Sequence, residues 1–104
     1  LNQNGAGVYQ RRNKTMQKIS QQDAKNIGNT LGISWEEVSL DEFTIGINIE
    51  LEHGTRYPET DVTGNDPLLT GKIAWAHLKE FPDYYTRLTK MEEEADEYWK
   101  NKQQ

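Results

Sequence analysis

The chain has no cysteine, which excludes a disulfide framework, a thiolate metal site and a cysteine nucleophile. Apolar residues are also scarce, at 34% of the sequence, against roughly 45–50% in ordinary domains on a count that includes Gly. A core is possible only if they are concentrated, and they are, between Ile27 and Trp99. No apolar run approaches the roughly 20 residues that span a bilayer, and no signal-peptide pattern opens the chain. These absences point to a soluble cytoplasmic protein with no membrane partner. With 104 residues, the chain makes one domain at most.

Acidic residues are missing from the first eighteen positions, which carry Arg11, Arg12, Lys14 and Lys18. The remainder holds eight basic against seventeen acidic residues, a balance of −9. Nucleic-acid binding by that remainder is disfavoured, because phosphate contacts need surface Lys and Arg. Residues 1–18 are rich in Asn, Gln and Gly, with no period of 3.6 or 2. They read as a flexible basic arm, followed by a single domain over 19–104.

Ser20 with Asp23 predicts a helix start, and Ala24, Ile27 and Leu31 follow at helical spacing up to Gly32. Gly28 weakens that helix by about 1 kcal/mol relative to Ala, so packing must hold it. Ser39-Leu40-Asp41-Glu42 fits a capping box in which Glu42 reaches back to the Ser39 amide. The next segment is ambiguous. Phe43, Ile45, Ile47, Ile49 and Leu51 alternate as in a strand, while Phe43, Ile47 and Leu51 also share a helical face. The capping box, and Gly54 as a stop, favour a helix over Ser39–His53.

GTRYPETDVTGND, from Gly54 to Asp66, reads as loop. Asp66-Pro67 then opens a helix with Pro at its first position. Leu69, Ile73, Ala76, His77 and Glu80 form its expected face, and it ends at Phe81-Pro82. A last helix over Asp83–Asn101 places Tyr84, Leu88, Met91, Ala95 and Tyr98 in a heptad-like stripe. The expected fold is therefore all-α: four helices, with Ser39–His53 and Asp66–Phe81 as a central pair.

ELEHG at 50–54, KIAWAHLKEFPDYY at 72–85 and the trailing LTKME resemble a family of small bacterial and phage proteins of unknown function. The likeness covers about Ser20 to Trp99 and leaves the arm outside. It implies a compact helical domain, and a cytoplasmic or phage-associated setting. It implies no activity.

If both central segments are helices, Glu50 and His53 are an i, i+3 pair, and so are His77 and Glu80. Glu-x-x-His is a spacing used by carboxylate metal sites in helical bundles. Glu50, His53, His77 and Glu80 are thus candidate ligands for zinc, iron or manganese, with Glu52 or Glu94 as a further oxygen donor. The same residues also suit a structural network in which Tyr84 and Tyr85 supply hydrogen-bond partners. No catalytic residue is assigned. TGND and TGK match no phosphate loop, the serines have capping or loop roles, and EF-hand spacing is absent.

The leading reading is a non-enzymatic acidic interaction module. Its Glu/His cluster holds the core, and the arm or the last helix meets a protein partner. A divalent-metal protein is the alternative, and an acidic nucleic-acid mimic is a third reading resting only on charge.

Overall fold

A computed structural model describes residues 18–102, which form four helices and no strand. They are α1 (Gln21–Leu31), α2 (Leu40–Arg56), α3 (Pro67–Glu80) and α4 (Tyr84–Lys102), with one 3₁₀ turn at Pro58–Thr60. The expected arm lies outside the described residues, apart from Lys18.

The helix starts follow from local chemistry. The Ser20 Oγ accepts from the Asp23 N–H, the Ser39 Oγ from the Glu42 N–H, and the Asp66 carboxylate from the Leu68 and Leu69 N–H groups. Each side-chain oxygen satisfies a donor that the first helical turn leaves unpaired. Gly32 closes α1 at φ +90°, a left-handed conformation that glycine adopts at least cost.

The 43–51 ambiguity resolves as helix. Phe43, Gly46 and Ile47 are buried, whereas Ile45 is exposed, so burial follows 3.6-residue spacing rather than alternation. Three expectations need correction. Gly54 does not stop α2, which continues to Arg56. Its small size matters instead, because a Cβ there would stand 2.9 Å from Thr63 Oγ1 of the following loop. Glu42 does not fold back on Ser39, since its carboxylate crosses to the start of α4. The inward face of α3 is Thr70, Gly71, Ala74 and Leu78, while Leu69 and Ala76 are exposed. Small residues win that face because they let helices approach closely: a Cβ on Gly71 would meet Ile27, Leu31 and Ile47.

Helices α2 and α3 form the most extensive contact, and α1 packs on both. Ala24, Phe43, Ile47, Ala74, Leu78 and Tyr85 are buried between them, with Ile33 from the α1–α2 connection. The weak helix α1 is held from outside. The Trp35 ring lies over Gly28, and its indole N–H donates to Asn29 Oδ1 at 2.8 Å. Chain entry is fixed by Asn48 of α2, whose side-chain amide bonds both the N–H and the C=O of Ile19, at 2.7 and 2.9 Å.

Helix α4 is attached by its first half only. Its contacts on α2 run in the same sense as the chain, Tyr85 and Thr86 against Glu42 and then Glu92 against His53. Every residue from Glu93 to Lys102 is exposed. The heptad-like stripe therefore packs at Tyr84 and Leu88 but leaves Met91 and Tyr98 outside. Among the described residues no helix is long and apolar enough to cross a membrane.

Candidate functional site

The chemistry-bearing residues meet where α2, α3 and α4 come together. His77 precedes the inward-facing Leu78 by one residue and so lies at the margin of the core, half-buried. Pro82 prevents α3 from continuing. The chain turns there, with the Phe81 N–H on His77 O and the Tyr84 N–H on Phe81 O. That turn lays the Tyr84 ring flat on the His77 imidazole, with centroids 4.3 Å apart and planes within 1°. Tyr85, the next residue, points inward and is fully buried.

Glu50 of α2 completes the cluster. The Tyr85 hydroxyl donates to Glu50 Oε2 at 2.6 Å, and His77 Nδ1 lies 3.0 Å from the same oxygen and 2.8 Å from the hydroxyl oxygen. These distances select the hydrogens. The single phenolic proton is committed to the carboxylate, so both oxygens facing Nδ1 are acceptors, and Nδ1 must carry a proton. Glu50 thereby takes two donors in a site where its side chain is only 11% exposed. Leaving such an acceptor unpaired costs about 1–3 kcal/mol.

Burial, followed by the hydrogen bond and charge of Glu50, holds the Tyr85 phenol well above the ordinary tyrosine range. A phenol so placed does not ionise near neutral pH. Its role here is to donate and to fill space, tying three helices together at one carboxylate.

That shift has a pH consequence of definite sign. Below about pH 10 the unfolded tyrosine is neutral, and so is folded Tyr85. Above it the unfolded chain releases a proton that the folded chain retains, so this contribution to stability is lost as pH rises. Denaturant titrations are expected to show stability falling by up to about 1.4 kcal/mol per pH unit above that point. Tyr85→Phe is less stable at neutral pH but should have a flatter alkaline limb. An unchanged slope would mean that Tyr85 is not the group responsible.

The four candidate ligands sort into separate places. Glu50 and His77 touch, His53 Nε2 pairs with Glu92 Oε2 at 3.3 Å, and Glu80 is exposed in the last turn of α3. Glu94 is exposed on α4. Among the described residues no three His, Asp or Glu side chains are grouped to hold a metal ion.

Two carboxylates with tertiary roles escaped sequence reasoning. One is Glu92, whose place in an acidic run hid it. The other is Glu42, which accepts from the Tyr85 N–H at 3.1 Å, the Thr86 N–H at 3.4 Å and the Thr86 hydroxyl. It caps α4 from another helix, placing negative charge at the positive end of that helix dipole. One signal was available: Asp83, the nearest acid preceding α4, stands four residues before Arg87, a spacing that pairs along a helix, and the structure pairs them at 2.9 Å, which leaves room for a cap from elsewhere.

A second feature lies outside the cluster. On α4, Met91 in the last attached turn and Tyr98 and Trp99 in the free half are 56%, 52% and 61% exposed. Tyr98 and Trp99 meet edge to face at 5.0 Å, and Lys102 lies over the Tyr98 ring. Glu92, Glu93, Glu94, Asp96 and Glu97 all lie between Met91 and Tyr98 in the chain.

A family model described as a protein of unknown function (DUF5661) matches residues 24–94. No curated protein matches the chain, and no solved structure does.

Proposed function

We propose that this chain, which belongs to the DUF5661 family, is a non-enzymatic interaction module that presents the free half of α4 to a protein partner. The observation that carries the reading is the exposure of Met91, Tyr98 and Trp99 on a helix that leaves the core halfway along. Large aromatic side chains at the surface supply much of the energy of protein contacts, because they bury large area at little entropic cost. In this reading the Glu50–His77–Tyr85 cluster is scaffolding. It clamps the root of α4, with Glu42, so that the exposed half projects as a rigid extension.

The test is comparative capture from native host extract with the full chain as bait. Met91→Ala combined with Trp99→Ala is expected to lose the partner that wild type retains, with helix content and melting temperature unchanged. Equal recovery by the two baits would refute the assignment of this face. Elemental analysis of the same preparation for zinc, iron and manganese tests the divalent-ion alternative, which has the Glu50–His77 pair to build on. Stoichiometric metal that His77→Ala removes would favour that alternative.

A further inference from the structure

We propose that the occupant of this face is a second copy of the chain, the free halves of two α4 helices pairing antiparallel. The inference rests on reading the face as a recognition surface, and it names what the surface recognises.

The placement of side chains around the helix is the first argument. Tyr84, Leu88, Met91, Ala95, Tyr98 and Lys102 recur at alternating spacings of four and three, so they share one stripe of a helix with 3.6 residues per turn. Tyr84 and Leu88 pack on the core. From Met91 onward the same stripe is exposed, and Trp99 stands beside it. At 100° per residue, Glu93, Asp96 and Glu97 lie about 120–180° around the helix from the stripe. Only Glu92 and Glu94 flank it. The charge is thus on the outer side, and the stripe is left as a seam of the kind that joins two helices.

Orientation is the second argument. Antiparallel pairing sets Tyr98 against Ala95 of the second copy, a large side chain against a small one. It also sets Met91 against the apolar stem of Lys102 of the second copy. On the flanks, Glu92 then faces Trp99 and Glu94 faces Asn101 of the second copy, so no acid opposes an acid. The free half begins just past the His53–Glu92 contact with α2. In this register each helix end stops near where the other copy's domain begins, so two free halves of equal length cover one another. The contact is two-fold and self-complementary, and it closes at the dimer. Parallel pairing would instead oppose Lys102 to Lys102 and align the two helix dipoles in the same sense.

Area sets the strength. Met91, Tyr98 and Trp99 are each more than half exposed, and an aromatic side chain buries about 150–250 Å² when fully enclosed. Two copies therefore offer several hundred Å², below the roughly 1,200 Å² where standard interfaces begin. The dimer is weak, with a dissociation constant on the order of 0.1 mM.

Sedimentation equilibrium of the full chain, from well below to well above that concentration, is expected to show a monomer–dimer transition. Tyr98→Glu combined with Trp99→Ala should leave a monomer throughout, with helix content unchanged because both positions are exposed. The absence of native cysteine allows the orientation to be read by cross-linking. When Ala95→Cys and Tyr98→Cys chains are mixed in a thiol–disulfide buffer, the mixed disulfide should exceed both homodisulfides together. Prevailing homodisulfides, a dimer retained by the Tyr98→Glu, Trp99→Ala variant, or a wild-type monomer at the highest concentration would each overturn the proposal. If wild type stays monomeric while capture from extract still depends on Trp99, the recognition face stands and the second copy falls as its occupant. A dimer that is lost with Tyr98 and Trp99 supports the pairing whatever the capture experiment gives.

Discussion

Replacing Tyr85 by alanine is expected to unfold the domain near room temperature. Removing a buried aromatic ring of this size costs about 3–5 kcal/mol. It also strips Glu50 of its phenolic donor, which adds about 1–3 kcal/mol because that carboxylate stays largely enclosed. The 85 described residues correspond to a total stability of roughly 4–13 kcal/mol, so the two losses together approach the whole. Circular dichroism with urea titration measures it. A midpoint close to wild type would show that the cluster at Glu50 and His77 does not hold α4 to α2 and α3.

Gly46→Ala should come next in size, although alanine favours a helix interior by about 1 kcal/mol over glycine. A Cβ at Gly46 would overlap the Tyr85 ring. The ring has little freedom to retreat, since its hydroxyl is bonded to Glu50 and the Tyr84 ring meets it edge to face, with centroids 5.1 Å apart. Overpacking of this kind costs about 1–3 kcal/mol and sometimes more. For a domain of this length, each kcal/mol lowers the melting temperature by about 4–8 °C. Coupling separates this cause from a generic helix effect. In a Tyr85→Ala background kept folded by a stabilising osmolyte, the obstacle is gone and Gly46→Ala should become neutral or stabilising. Equal cost in both backgrounds would show that the ring is not what Gly46 accommodates.

Much of the fold was legible because its signals are local. Ser20, Ser39 and Asp66 announce helix starts through bonds to amides two or three residues away, and Pro82 ends α3 by lacking an N–H. The alternation from Phe43 to Leu51 misled only as far as period 2 and period 3.6 share positions, and the cap at Ser39 decided between them. The α3 face was misread because apolar character was weighed above size. Leu69 and Ala76 lost the inward positions to Thr70, Gly71 and Ala74, whose value lies in how little space they take.

The candidate site was legible as a list of residues and no further. Glu50, His53, His77 and Glu80 share helical spacings, which a sequence displays, but spacing along one helix says nothing about which residue on another helix lies opposite. Glu50 meets His77 and Tyr85, whereas His53 meets Glu92 and Glu80 meets solvent. The same limit hid Glu42, whose capping box predicted a short bond home and whose carboxylate serves a helix that begins more than forty positions later.

By itself the sequence determined an all-α fold for the described residues, their four helices with their starts, and the separation of a basic first segment from an acidic remainder. Those properties depend on neighbours within a turn or on totals of charge. Only the tertiary structure decided that Tyr85 is the buried donor to Glu50, that Gly46 and Gly71 are contact surfaces, and that α4 leaves the core halfway along. Each of those outcomes depends on where one helix meets another, and that geometry follows from the packing of all the side chains at once.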